Sequence, residues 1–257
     1  MKRAVILTLA ALLALAGGAA AQRRFSGRVE IAENLPYDGR FTFVRVRYQP
    51  APGGYWGGPP WSHGYPLAER NLMRIMNEVS LLNAHADDFS IVTLDDPDLF
   101  KYPIAYIIEV GWWTLTDREA AALRAYLQKG GFLIVDDFKV EGWRGLQGGG
   151  WQPFEDNIKR VLPEARFFEM EPSDPIFHSF FEVDTLDDFP QAYTDGKAIF
   201  RGVYEDNDPK KRLMMIVNYN TDISQYWEWS GRGLRPFDDT NEAYKLGVNY
   251  LIYGMTH

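Results

Sequence analysis

An α/β fold with a mostly parallel sheet and helices on both faces is what this sequence predicts, and three observations carry that prediction. The stretch GGFLIVDDF, Gly130 to Phe138, is an uninterrupted apolar run that ends in two adjacent carboxylates. A short run of that kind after a helix-ending Gly reads as a strand buried on both faces, the signature of a parallel sheet. Leu213 to Tyr219, LMMIVNY, is a second nearly all-apolar run. Finally, Ile104 to Phe138 reads strand, helix, strand through one compact connection, which is the right-handed parallel unit.

The N-terminus stands apart from that core. Lys2 and Arg3 precede an apolar run from Ala4 to Ala16, and Ala19-Ala20-Ala21 makes an A-x-A cleavage site before Gln22, the pattern of a secretory signal peptide. Residues 1–21 are therefore expected to be removed and the mature chain to be periplasmic or secreted. The run falls short of the roughly 20 residues that cross about 30 Å of hydrocarbon. No later run is longer, so no membrane span is expected. Residues 22–40 are polar and aperiodic and read as an N-terminal arm, and residues 41–257 as one α/β domain.

Within that domain Phe41 to Tyr48, FTFVRVRY, alternates apolar with polar or basic residues and is the first strand. The Gly-, Pro- and Trp-rich loop APGGYWGGPPWSH follows, and long loops in compact domains are more often functional than idle. Pro66 opens a helix on which Leu67, Leu72, Ile75, Met76, Val79 and Leu82 fall near helical spacing. Phe89 to Leu94 is the second strand and Ile104 to Val110 the third. Thr116 and Glu119 form a capping box for a helix through Gln128, with Gly130 as its left-handed terminator. After the fourth strand, Gly130 to Phe138, come a Gly/Trp-rich loop, a helical turn or two from Pro153 to Leu162, and a strand at Ala165 to Glu169. Pro172 to Phe181 reads as a turn with a short helix. Ala198 to Tyr204 and Leu213 to Tyr219 are the last strands. Asp239 or Thr240 caps a closing helix, Asn241 to Tyr253, whose Ala243, Leu246, Val248, Leu251 and Ile252 pack on the sheet.

Ligands of open α/β sheets bind outside the carboxyl ends of the strands, which is where Asp136 and Asp137 fall. The two alternate in direction, so at most one faces a given pocket. Such a pair coordinates a hard cation or works as acid and base; equally, one caps the next turn and the other is solvated. Glu109, inside the third strand, needs a partner such as Arg47 or Lys139. NYNTDISQYWEWS places Asn220, Asp222, Trp227 and Glu228 just beyond the last strand. All eight Trp are expected in loops that follow strands. If the first, third, fourth and last strands are parallel, Trp112, Trp113, Trp227 and Trp229 emerge on the edge that carries Asp136 and Asp137. The rings then form either a ligand platform or small local cores. No two of the four His have the spacing of a metal-binding helix, and His178 is the one selected to join the carboxylates. No nucleophile elbow, phosphate-binding loop or dinucleotide fingerprint is present.

Several blocks in one order resemble a bacterial family, domain of unknown function 4159. They are RVRY with its Gly/Trp loop and YPLAERN, then GGFLIVDDF, DPIFHSFF, RLMMIVNYNTDISQYWE and NEAYKLGVNYLIYGMTH. The resemblance covers roughly Phe41 to His257 and implies a flavodoxin-like sheet, similar to class I glutamine amidotransferases and ThuA-like proteins. It brings no activity with it. Amidotransferases use a Cys nucleophile, and this chain has no Cys, which also removes disulfides and thiolate metal sites. Many members carry Asp in the loop before YP, where this chain has His63-Gly64.

With 35 acidic against 27 basic residues the formal net charge is −8, a sign that argues against a nucleic-acid partner. The first functional reading is an exported protein that binds a small polar or carbohydrate ligand at the carboxyl edge. The second is a carboxylate-dependent or metal-assisted hydrolase using Asp136 or Asp137 with His178, Asp222 or Glu228. The third is a cell-envelope protein-interaction module. No motif calls for an organic cofactor; a divalent cation is compatible with the carboxylates.

Overall fold

The computed structural model describes residues 31, 33–52, 58–138, 150–187, 189 and 197–257. The expected leader, most of the arm, Trp56 and Trp143 lie outside them. The described residues form a seven-stranded sheet: β1 Val44–Val46, β2 Ser90–Val92, β3 Ile104–Ile108, β4 Phe132–Phe138, β5 Phe168–Glu169, β6 Ile199–Tyr204 and β7 Leu213–Tyr219, in the order β2-β1-β3-β4-β7-β6-β5. The pairs β1–β2, β1–β3, β3–β4 and β4–β7 are parallel. Strand β6 runs antiparallel to β7, and β5 to β6. The reason is connection length: only Glu205 to Arg212 separates β6 from β7, enough for a hairpin and too short for a parallel crossover.

Alternation along each strand divides the core in two. Tyr106, Ile108, Ile134 and Ile216 face one way, with α1 (Leu67–Val79), α4 (Ile223–Glu228) and α5 (Phe237–Thr256) laid over them. Ala105, Ile107, Leu133, Val135, Met215 and Val217 face the other, under α2 (Asp117–Gln128) and α3 (Trp151–Val161). Helices therefore cover both faces, as a buried parallel sheet requires. Helix α5 comes close because it is bare at two points: a Cβ at Gly247 would fall 2.7 Å from the Trp227 ring, and one at Gly254 2.7 Å from Phe132.

The predicted capping box is present, Thr116 and Glu119 each bonding the other's backbone, and Gly130 has φ +105°. Several boundaries differ. Strand β3 stops at Ile108, so Glu109 is not within it. Trp151 opens α3 and Trp227 lies inside α4, so not every Trp is in a loop. Helix α5 begins at Phe237, directly after Pro236, with Asp238 and Asp239 in its first turn, where acidic side chains favour the helix dipole. That start precedes the expected Asn241 because Pro and acidic residues fit a first turn that apolar periodicity does not register.

Candidate functional site

Strands β1, β3, β4 and β7 point the same way, so the segments after them meet at one edge. The order of the strands also sets a switch there: the chain leaves β1 toward β2 and returns on the far side to β3, the kind of point at which open α/β sheets form their ligand crevice.

The first wall of that crevice is held by a buried charge. Because Val44 and Val46 face α2 and α3, Arg45 between them faces α1. There its guanidinium bonds Glu69, both side chains being fully buried. Arg45 Nη1 also donates to the carbonyls of Trp61 (3.0 Å) and His63 (2.9 Å), and the guanidinium lies 5.2 Å from the centre of the Tyr106 ring. Burial holds the Glu69 carboxyl above its ordinary value against the opposing pull of Arg45, and the Arg45 guanidinium keeps its proton. Arg45 Nη2 and Glu69 Oε2 are buried without a hydrogen-bond partner among the described residues.

Arg45 thus fixes the backbone that carries His63. His63 Nδ1 lies 2.8 Å from Asp137 Oδ2 and 3.8 Å from Glu109 Oε1. Glu109, Asp137 and Asn220 stand at the ends of three strands with φ of 50°, 54° and 60°. Left-handed backbone at residues other than Gly costs on the order of 1 kcal/mol each and gathers at functional sites. The segments are tied together: the Glu109 amide donates to the Asp137 carbonyl at 2.9 Å. Asp222 caps α4, accepting from the Gln225 amide at 2.8 Å and the Ser224 hydroxyl at 2.7 Å. His63, Asp137 and Asp222 each offer a donor atom, and these lie within 4.8 Å of one another.

Charge explains what this cluster attracts. Burial alone would lower the His63 imidazolium, but the charge and hydrogen bond of Asp137, followed by Asp222 and Glu109, raise it to about 10. One imidazolium among three carboxylates leaves the crevice negative in a region of low dielectric. An imidazole nitrogen with two carboxylate oxygens is a donor set for Zn²⁺, Mn²⁺ or Fe²⁺.

Asp136 precedes Asp137 on β4 and has its own set of partners. It is fully buried and accepts from the Tyr106 hydroxyl (2.8 Å), Asn218 Nδ2 (3.3 Å) and the amides of Ile223 (3.2 Å) and Ser224 (3.0 Å). Burial and the neighbouring Asp137 charge push its carboxyl up to about 6, against the pull of these donors.

Of the residues selected from sequence, Asp137 and Asp222 come together, and Asp136 supports them. Asn220 is buried and its amide donates to the Lys197 carbonyl at 3.0 Å. Glu228 is half-buried beside the His63 loop, its Oε2 3.4 Å from where a Cβ on Gly64 would stand. Among the described residues, the four indoles expected on that edge differ in burial. Trp113 and Trp227 are buried; Trp227 donates to the Ala243 carbonyl at 2.9 Å, and the Trp113 carbonyl accepts from Asn157. Trp112 and Trp229 are half-buried. Arg47 is exposed, and the basic group paired with Glu109 among the described residues is His63, at 3.8 Å. Lys139 lies outside the described residues.

His178 is held apart from the aspartates, on the segment between β5 and β6. Its two ring nitrogens meet Glu182 and the Pro172 carbonyl. Two acceptors require two N–H groups, and Glu182 first, then Pro172, raises its pKa. Its stabilising contribution is therefore complete below the ordinary value of about 6.5 and is lost as pH rises through the raised value. An NMR titration of the His178 ring protons should give a midpoint above 6.5, and Glu182→Gln should lower it. A midpoint at or below the free-imidazole value would contradict the pairing.

His63 is the residue that sequence reasoning passed over in favour of His178. The available signal was its position in the Gly/Pro loop after β1, on the correct edge. A family model described as a domain of unknown function (DUF4159) matches residues 42–255. No curated protein matches the chain.

Proposed function

The chain belongs to the DUF4159 family, a domain of unknown function, and we propose that its carboxyl edge holds a divalent cation on His63, Asp137 and Asp222 and, through that cation, a small polar ligand, carbohydrates included. One observation carries this reading: three segments remote in sequence deliver an imidazole and two carboxylates whose donor atoms lie within 4.8 Å. The location agrees with it. In a flavodoxin-like sheet the ligand crevice opens at the β1/β3 switch point, and the five parallel strands here, β2-β1-β3-β4-β7, run in that order. We read the fold as flavodoxin-like and similar to class I glutamine amidotransferases, without their chemistry, since the chain has no Cys. Export to the periplasm or medium belongs to the same reading, on the pattern of residues 1–21; among the described residues no helix is long and apolar enough to cross a membrane.

The test is calorimetry of the chelator-treated chain with Zn²⁺, Mn²⁺, Ca²⁺ and Mg²⁺. The nitrogen donor should favour Zn²⁺ or Mn²⁺ over the oxygen-preferring Ca²⁺ and Mg²⁺. His63→Ala and Asp222→Asn should each weaken binding by about 10-fold or more, the scale on which lost metal-site partners act. Absence of binding by all four ions, or affinities indifferent to both variants, would refute the proposal.

Glu109 favours a second reading, metal-assisted hydrolysis. Its carboxylate, 3.8 Å from His63 Nδ1, stands where it would act as base toward water activated by a cation. Metal-dependent turnover of an ester or glycoside panel, lost in Glu109→Gln with cation binding intact, separates this reading from ligand binding alone.

A further inference from the structure

A second cavity, of about 620 Å³, opens between α1, α5 and the connection from α4 to α5. It contains none of the residues of the His63 cluster, and its volume lies within the range of about 300 to 1,000 Å³ typical of small-molecule sites. Phe181, Trp229 and Tyr244 supply aromatic walls, and Ile75 and Val79 the α1 side. The mouth is apolar: Phe237 is 82% and Val79 37% exposed, with Phe180 (42%) and Leu234 (58%) next in sequence to lining residues. Exposed apolar side chains concentrated on one surface mark a binding surface.

Charge indicates what binds. The charged lining residues are Arg235 and Lys245, and no carboxylate is among the residues that line the cavity, in a chain whose net charge is −8. Arg235 is pre-set: its guanidinium donates to Gln225 and stacks 5.0 Å from the Trp229 ring and 5.3 Å from that of Tyr226. Lys245 Nζ lies 2.7 Å from Glu242 Oε1 in a pair at i,i+3. A pair of that kind is weak, and a ligand carboxylate competes with it readily.

We propose that this cavity binds a small organic anion with an apolar body, a medium-chain or aryl carboxylate. The body lies against Phe181, Trp229 and Tyr244, and the carboxylate between Arg235 and Lys245. Calorimetry of the full chain with decanoate, decanol and decyltrimethylammonium, all below their micellar concentrations, tests it. Decanoate should bind, decanol about 10-fold more weakly, and the cation not at all, a charged hydrogen bond in place of a neutral one being worth about that factor. Lys245→Met should weaken decanoate by a similar factor and leave decanol unchanged. Thr240→Trp, at a half-buried position on the first turn of α5, should fill the cavity and abolish both while the circular dichroism spectrum stays that of the parent. Equal binding of the three amphiphiles overturns the proposal. So does absence of binding by the folded parent, or a concentration-dependent dimer that Thr240→Trp disrupts. His63→Ala should not alter decanoate binding; if it does, the ligand sits at the other site.

Discussion

Glu69→Leu should lower the unfolding free energy by about 3 to 5 kcal/mol in urea denaturation, the cost of leaving a buried charge unpaired. Arg45 is fully buried, and Glu69 is the carboxylate that faces it. Leucine at that position fills space but leaves a guanidinium that cannot lose its proton. Arg45→Met/Glu69→Leu removes both charges and should recover much of the loss, because an apolar pair of similar volume often replaces a buried ion pair without penalty. Two unsatisfied atoms already in the pair, Arg45 Nη2 and Glu69 Oε2, make that recovery larger. It should remain incomplete, since the Trp61 and His63 carbonyls lose the donor that Arg45 Nη1 supplies. The double variant should also bind Zn²⁺ or Mn²⁺ more weakly than the parent, because His63 is no longer pinned. A stability within about 0.5 kcal/mol of the parent for Glu69→Leu, the range of ordinary surface substitutions, would show that the pair does not anchor this wall.

A comparable loss, about 3 to 6 kcal/mol, is expected for Asp136→Leu, since each buried donor left without an acceptor costs roughly 1 to 3 kcal/mol. Four donors converge on this carboxylate: Tyr106, Asn218 and the first two amides of α4. Asn218 is itself held by the Tyr250 hydroxyl at 2.9 Å, so the network joins β3, β4, β7, α4 and α5. Asp136→Asn should cost about half as much, because the amide oxygen still accepts while its NH₂ opposes the remaining donors. Loosening α4 also moves Asp222, its cap, so cation affinity should fall in both variants although Asp136 is not one of the three donors. Equilibrium denaturation read together with calorimetry checks this. Parent-like stability in Asp136→Leu would mean that the network is not what fastens α4 to the sheet.

What could be read in advance follows a physical division. Apolar runs such as FLIV and LMMIV reveal burial on both faces, because no polar group interrupts them. The Thr116/Glu119 cap and Gly130 act through their own neighbours, so their roles are local and legible. The carboxyl edge was legible for the same reason: a parallel strand order places Asp136, Asp137 and Asp222 at one end. Arg45 left a weaker trace. FTFVRVRY alternates, which reads as one wet face, yet Arg45 is buried and Arg47 exposed. Periodicity counts a charge as surface unless its counter-charge is known, and Glu69 lies 24 residues away.

The α/β class, the order of the strands and helices along the chain, the edge on which polar groups collect and the exclusion of a cysteine nucleophile all follow from the residues in their linear order. Each of these depends on side-chain polarity at fixed spacing or on residue type alone. Folding is what brings His63, not His178, to Asp137, buries Trp113 and Trp227, turns β6 back as a hairpin and sets a cationic apolar cavity beside α5. Those are contacts between segments remote in sequence. Their geometry depends on how sheet and helices stack, which no local pattern of residues encodes.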